Sequence, residues 1–510
     1  MGQFRFAVPL EYENHLRMWE SAYICGIEGV PWEGRVTLQD NILTVHRGVD
    51  DSGRLYVPFP TSPDGPLMTL ATCSLRQTGS QRSVDGGAGP HLLPLELARG
   101  ECFRLRNQAD LWRRAGLQLE ATQLQQLQAS TETFLQAACL RGDREDVAAQ
   151  ATESIYQLHR AGDMLATAYA EQALAFRKQN ERQLGTLIGA SVTPEAMEKT
   201  VQGGELEKNY RDAFNSIGIP IGLAHMETAA GRIDFTRFDD LFEWAGRYGM
   251  RIVAGPLLNF QSKLVPDWLH LYDGDFQKLV ESVESYVERA VMRYTGRVHL
   301  WHAVAGLNTP GPIDLDEEQI MRLAVVVIHT IRRADPRTPV LISVDRPWGE
   351  YLGGERHGIS PVHFADALIR SNLGVNGIGL EMRMNYKEGG SLPRSLLDFG
   401  QQIDRWANLG LPLLVQMAFP AESGDDPHAI RKSDVIATAT GGKTTPQVQD
   451  ELAIRWINTM LAKGVVHGIL WEGWDDRASH YMPHSGLIDA AGKPRPLLDS
   501  ITRLRRELLT

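Results

Sequence analysis

The chain has 510 residues, 43% of them hydrophobic and 23% charged, with a formal net charge of −11, which is an ordinary globular composition with room for two or three domains. The charge is spread without long like-charge runs, which excludes a nucleic-acid backbone as partner because that requires clustered Lys and Arg. No stretch approaches 18 uninterrupted apolar residues, so no membrane-spanning helix is expected, and the opening Met1–Leu10 lacks the apolar core of a leader, which points to a cytoplasmic location.

Residues 1–115 alternate short β-type runs with turns: Arg35–Leu38, Ile42–His46, Arg54–Pro58 and Leu67–Ala71. The spacing predicts a small β-rich domain, a sandwich or half-barrel, acting either as a carbohydrate-binding module or as a packing module. Gly79–Pro90 reads as a mobile loop. Cys25, Cys73, Cys102 and Cys139 are widely spaced with no CxxC pair, so free thiols are expected rather than a metal centre.

Residues 116–183 turn to Ala, Gln, Leu and Glu. Leu124, Leu127, Phe134, Leu135 and Ala138 keep one helical period, and Ile155, Leu158, Leu165, Ala168 and Ala173 keep another, with a break at Arg141–Asp143. A helical hairpin follows, whose outer face offers a place for an oligomer contact or a protein partner.

From residue 184 to 510 β-rich runs alternate with amphipathic helices. Eight strands are expected, at Leu184–Val192, Ser216–Ala224, Arg251–Leu258, Val298–Val304, Val340–Val344, Gly377–Met382, Leu413–Met417 and His467–Trp471. This repetition predicts an α/β fold, a closed (β/α)8 TIM barrel. No GxGxxG or GxxxxGK[ST] turn follows a strand, so no nucleotide cofactor is expected. His299 and His302 fall on opposite faces of one strand and cannot share a metal, and His467, His480 and His484 are expected as core or rim histidines.

Several patches in this region resemble glycoside hydrolase family 10, the xylanase-like barrels. Gly231–Phe235 with Asp239, Tyr248–Leu257 followed by Pro266–Leu269, Trp301–Gly306, Leu341–Asp345, Gly377–Glu381, Gly468–Trp471 with Asp475, Gly486–Asp489 and Lys493–Pro496 follow that family's order of motifs. The resemblance implies a retaining glycosidase framework. It also implies replacement of both reactive carboxylates, because the proton donor's position holds Gly306 and the nucleophile's holds Gln416. Further family positions hold Pro220, Ile221, Ala224, His225, Gly255, Asn259, Glu381 and Arg383. A retaining mechanism needs two carboxyl groups about 5–5.5 Å apart, and an amide and a bare backbone supply neither.

Two consequences follow for the site. Asp345, Glu381, Glu472 and Asp475 fall near strand ends, where a relocated pair such as Glu381 with Glu472 would restore hydrolysis of a β-linked glycan, or where each acid instead pairs with Arg346, Arg383 or Arg477. Trp301, Trp348, Trp471 and Trp474 also cluster near strand ends and suit the C–H faces of a sugar. The ligand-binding set expected for an oligosaccharide is therefore Trp301, His302, Arg383, Gln416, Trp471 and Trp474. An intracellular protein-interaction scaffold is the alternative from another class.

Overall fold

The computed structural model describes residues 2–9, 18–63, 65–76, 89–181, 183–202, 204–229, 232–354, 358–436 and 444–509. Most of the loop expected at Gly79–Pro90 lies outside them, as does Gly231. Among the described residues no helix is long and apolar enough to cross a membrane.

The eight expected strands are present as Leu187–Ser191, Ser216–Ile219, Arg251–Ala254, Leu300–Ala305, Val340–Asp345, Gly377–Arg383, Leu413–Ala418 and Val466–Trp471. Each pairs in parallel with its neighbours, and the last pairs with the first, so the sheet closes. Two strands end several residues earlier than expected. The second ends at Ile219 before a helical turn at Leu223–Met226, and the third ends at Ala254 because Gly255 takes a φ of +124°, which breaks the extended path. The helices between strands bury one apolar stripe each; Thr236–Arg247, for example, buries Phe238, Leu241, Phe242 and Ala245 as its 3.6-residue period requires.

Inside the barrel, side chains alternate with those facing the helices. At the end where the strands begin, Val253, Leu341, Leu414 and Leu470 pack with Leu187 and Leu300 into an apolar plug. Further along the same inward faces the residues turn polar: His302 two positions after Leu300, Asp345 four after Leu341, Gln416 two after Leu414 and Glu472 two after Leu470. The chemistry is thus concentrated where the strands end, as in other barrels of this architecture.

The N-terminal region forms two four-stranded sheets, one built around Gly2–Ala7 and Ile42–Arg47, the other around Tyr23–Cys25 and Arg54–Pro60. Three helices follow rather than two, at Leu93–Arg114, Ala121–Cys139 and Arg144–Asn180. The first falls in the stretch expected to be β-rich. It lies tight against the strand Leu67–Ala71, close enough that a Cβ on Gly100 would meet the Ala71 carbonyl at 1.9 Å. The second packs along a narrow stripe of Leu127, Ser130, Phe134 and Ala137, which leaves Leu124, Leu135 and Ala138 exposed, contrary to the expected face. The third starts on an Asp143 cap and buries Ile155, Leu158 and Leu165. The sheets dock on the barrel through Arg394, which donates to the Tyr23 hydroxyl at 2.8 Å, and Arg405, which donates to the Gly29 carbonyl at 3.1 Å.

Candidate functional site

The fourth strand leads directly into Gly306, which has a φ of +70°. A side chain there is strained in its backbone and obstructed as well, since a Cβ would lie 2.5 Å from Cγ of Gln261. Gln261 is 3% exposed and its Nε2 donates to Glu381 Oε2 at 2.7 Å, so the amide fills the space beside Gly306 and ties the third-strand loop to the sixth strand. Two residues after Gly306, the Asn308 side chain bonds both the backbone N–H and the carbonyl of Asp345 at 2.9 Å, which fixes this loop to the fifth strand. Gly255 is equally closed to substitution, because a Cβ there would sit 2.1 Å from the His302 carbonyl.

At the centre of the mouth stands Arg383, 1% exposed. Its Nη1 reaches Asp345 Oδ1 at 2.9 Å, its Nη2 reaches Glu381 Oε2 at 2.9 Å and its Nε reaches Glu472 at 2.7 and 2.9 Å. One guanidinium therefore holds three buried carboxylates, using its planar fork in three directions. Glu381 and Glu472 are bound by neighbouring nitrogens, Nη2 and Nε, of the same guanidinium. Removing charges from water at this depth is tolerable only with such pairing. Burial pushes the Glu381 carboxyl up to about 7, opposed by Arg383 and reinforced by Asp345 and Glu472. Burial also raises Glu472, again opposed by Arg383. Asp475 lies on the same rim but is held by Arg477 at 2.6–3.2 Å.

Beside Arg383 a cavity of about 90 Å³ is lined by Gln416, Glu472, Asn259, Trp474 and His480. The Gln416 side chain has no hydrogen-bond partner among the described residues. Tyr481 roofs one side, with its ring 4.9 Å from the Arg383 guanidinium carbon, and it packs with Leu264 and Ile430 while its hydroxyl reaches the Ser262 carbonyl at 3.5 Å. The third-strand loop and the last two loops thus meet across the mouth.

The expected ligand set divides. Gln416, Arg383 and Trp474 line the cavity, although Arg383 is engaged by its acids and Trp474 is 1% exposed, donating to Thr200 at 2.7 Å. Trp301 does not belong there. It lies near the strand's beginning, its indole donates to Asp335 at 3.0 Å in the turn before the fifth strand, and strand alternation turns it away from the interior. Trp471 likewise faces the helix layer, donating to the Ser485 carbonyl at 2.7 Å, and Trp348 donates to Asp398 at 3.1 Å outside the barrel. His302 points inward but is 2% exposed and sits below the mouth; burial lowers it to about 3.

Two contributors gave no signal in the sequence. Gln261 is a neutral amide in a loop, remote in sequence from both Gly306 and Glu381. The second is a cluster of Asp426, Asp476 and His484, whose ligand-type atoms lie within 4.8 Å of one another. Asp426 already accepts from His480, His428 and His484, and Asp476 from Arg495 and Gly486, so the cluster is a filled ion-pair network. Burial works against the charged form of His480, but the Asp426 hydrogen bond and Asp476 outweigh it and raise the imidazole.

Residues 177–315 match the family model described as glycosyl hydrolase family 10. Among solved structures, a xylanase 10B from Thermotoga petrophila RKU-1 in complex with xylobiose is 16% identical over 67% of this chain and 97% of its own, with a TM-score of 0.46. Native xylanase 10B from Thermotoga maritima gives 16%, 67%, 98% and 0.46. A thermostable mutant of a Cellvibrio japonicus xylanase gives 16%, 62%, 96% and 0.45. No curated protein matches the chain. The chain is a closed (β/α)8 barrel with added N-terminal sheets and helices, and it resembles glycosyl hydrolase family 10.

Proposed function

We propose that this family 10-like barrel binds a carbohydrate-like ligand at its mouth and does not cleave it by the retaining route. The observation that carries the reading is the pair Gly306 and Gln261: at the position aligned with the proton donor there is no side chain, and the Cγ and backbone nitrogen of Gln261 occupy the room one would need. Gln416 has the reach of a glutamate but cannot form a glycosyl ester. The acids Asp345, Glu381 and Glu472 are all bound by the single guanidinium of Arg383, which opposes their use as a free nucleophile and acid/base pair.

Turnover of aryl β-glycosides and xylan by the wild type, Glu381→Gln and Glu472→Gln tests the negative half. None of the three is expected to release product. Hydrolysis by the wild type that disappears in either variant would establish a relocated acid pair instead. Calorimetry with xylo-oligosaccharides tests the positive half, where Gln416→Ala is expected to weaken binding about tenfold, the worth of one hydrogen bond to the ligand.

One observation favours a second reading, contact with another protein. Phe103, Leu111, Leu135 and Phe176 on the N-terminal helices are 49–67% exposed. A stable complex in pull-down, lost when Phe103 and Phe176 become Ser, would support it.

A further inference from the structure

On the far side of Tyr481 from the mouth cavity lies a second pocket, of about 480 Å³, within the range of ligand sites. Its walls are the loop Thr309–Pro312 after Gly306, the segment from Asp345 to Tyr351, the segment Lys387–Gly389 and Arg431. We propose that this rim pocket seats an oxyanion carried by the ligand, either the carboxylate of a uronic acid or a sulfate or phosphate ester. The proposal deepens the carbohydrate reading and rests on it.

Of the pocket's acceptors, Asp345 and one Glu388 oxygen are engaged, while Gln261 Oε1 has no hydrogen-bond partner among the described residues. Asp345 gives Oδ1 to Arg383 and its carbonyl to Asn308, while Glu388 accepts from the Ser433 hydroxyl at 3.2 Å and the Asp434 N–H at 2.9 Å. The donors are only partly engaged. Arg346 is four-fifths buried, and its partners are Asp345, 3.4 Å from Nε, and the Tyr351 ring, 4.8 Å from the guanidinium carbon. Its two terminal nitrogens have no hydrogen-bond partner among the described residues. Arg431 donates through Nε to the Glu388 carbonyl and through Nη1 to the Tyr481 hydroxyl, leaving Nη2. Lys387 is 3.9 Å from Asp434 and more than half exposed.

A guanidinium held beside an aromatic ring with its outer N–H groups vacant is organised in advance for a planar oxyanion. A neutral sugar hydroxyl would meet one donor, whereas a carboxylate or ester meets several with charge-assisted bonds. The net charge of −11 disfavours non-specific anion uptake, so capture must come from this local arrangement. No residue lines both cavities, but they are joined by contacts, since Asp345 pairs with both Arg346 and Arg383 and Arg431 donates to the Tyr481 hydroxyl.

Calorimetry on the full chain compares a neutral xylotriose, the same oligosaccharide bearing glucuronate, a sulfated monosaccharide and inorganic phosphate, with the wild type, Arg346→Gln and Arg431→Gln. Acidic saccharide is expected to bind at least tenfold tighter than neutral, and this ratio of acidic to neutral affinity is expected to fall to about one in Arg346→Gln and to shrink in Arg431→Gln. A preference for the uronate or for the ester identifies which oxyanion is read. Equal affinity for neutral and acidic saccharide, insensitive to Arg346, overturns the oxyanion site and leaves the carbohydrate reading standing. Phosphate binding abolished in Arg346→Gln, with no saccharide bound, keeps the oxyanion site and removes the carbohydrate reading. No binding of any probe overturns both. Should Arg346→Gln fold poorly, Lys387→Gln at the exposed rim gives the same comparison.

Discussion

The two ends of the barrel interior are held together by opposite means. Where the strands begin, a plug of Val253, Leu341, Leu414 and Leu470 closes the tube by apolar contact alone; where they end, one arginine balances three carboxylates. The apolar end derives its stability from burial, which is insensitive to pH and tolerant of swaps that conserve volume. The polar end depends on Arg383, because its removal leaves three buried acids without a counter-charge. The lesson is that the mouth of this barrel is constrained as a structural element as much as it is available as a site.

The largest effect that would break this contrast is at Arg383. Arg383→Met is expected to destabilise the protein by about 3–5 kcal/mol or prevent folding, since three buried acids lose their counter-charge; urea unfolding measures it, and a near-neutral result would mean that water reaches the cluster. Leu414→Ala at the other end is expected to lose about 3 kcal/mol through a cavity, equally at pH 5 and pH 8.

The pH response sharpens the contrast. With the folded-state Glu381 raised to about 7, above the usual glutamate value, the native chain holds a proton that the unfolded chain has released. Stability should therefore fall as pH rises toward 7 and level off above it. At about 1.4 kcal/mol per pKa unit the loss is on the order of 3 kcal/mol. Glu381→Gln should lack that slope in melts between pH 5 and pH 8. An identical slope in wild type and variant would assign it elsewhere, for instance to His480, whose raised imidazole also contributes stability that fades with rising pH. The smallest effect is at Gly306. Gly306→Ala should cost about 1–2 kcal/mol from its left-handed backbone and should shift Gln261, visible as a changed side-chain amide resonance.

How far the sequence led differs between scaffold and site. All eight strands were legible because β-rich runs separated by amphipathic helices leave little other arrangement. The helix Leu93–Arg114 was hidden because Gly100, needed where the helix backbone meets Ala71, interrupts a helical reading. The association of mouth acids with arginines was legible from their proximity in the chain, although the sharing of three by Arg383 was not. The tryptophans show a further limit. Closeness to a strand end does not say which way an indole points, yet parity did: Trp471 adjoins the inward Leu470 and Glu472 and so had to face outward, as Trp301 does beside Leu300. Gln261 could not be found at all, because its significance lies in two residues distant from it in sequence.

Filling the position beside the fourth strand with an amide also orders the steps by which this mouth could change. A carboxyl at 306 has no place until residue 261 has shrunk or swung away, and that movement takes the hydrogen bond from Glu381 before anything is gained. Any route toward bond cleavage at this end therefore begins with a loss, and a library that varies Gly306 by itself will sample only damaged proteins, whereas one that varies 261, 306 and 416 together starts from a different landscape.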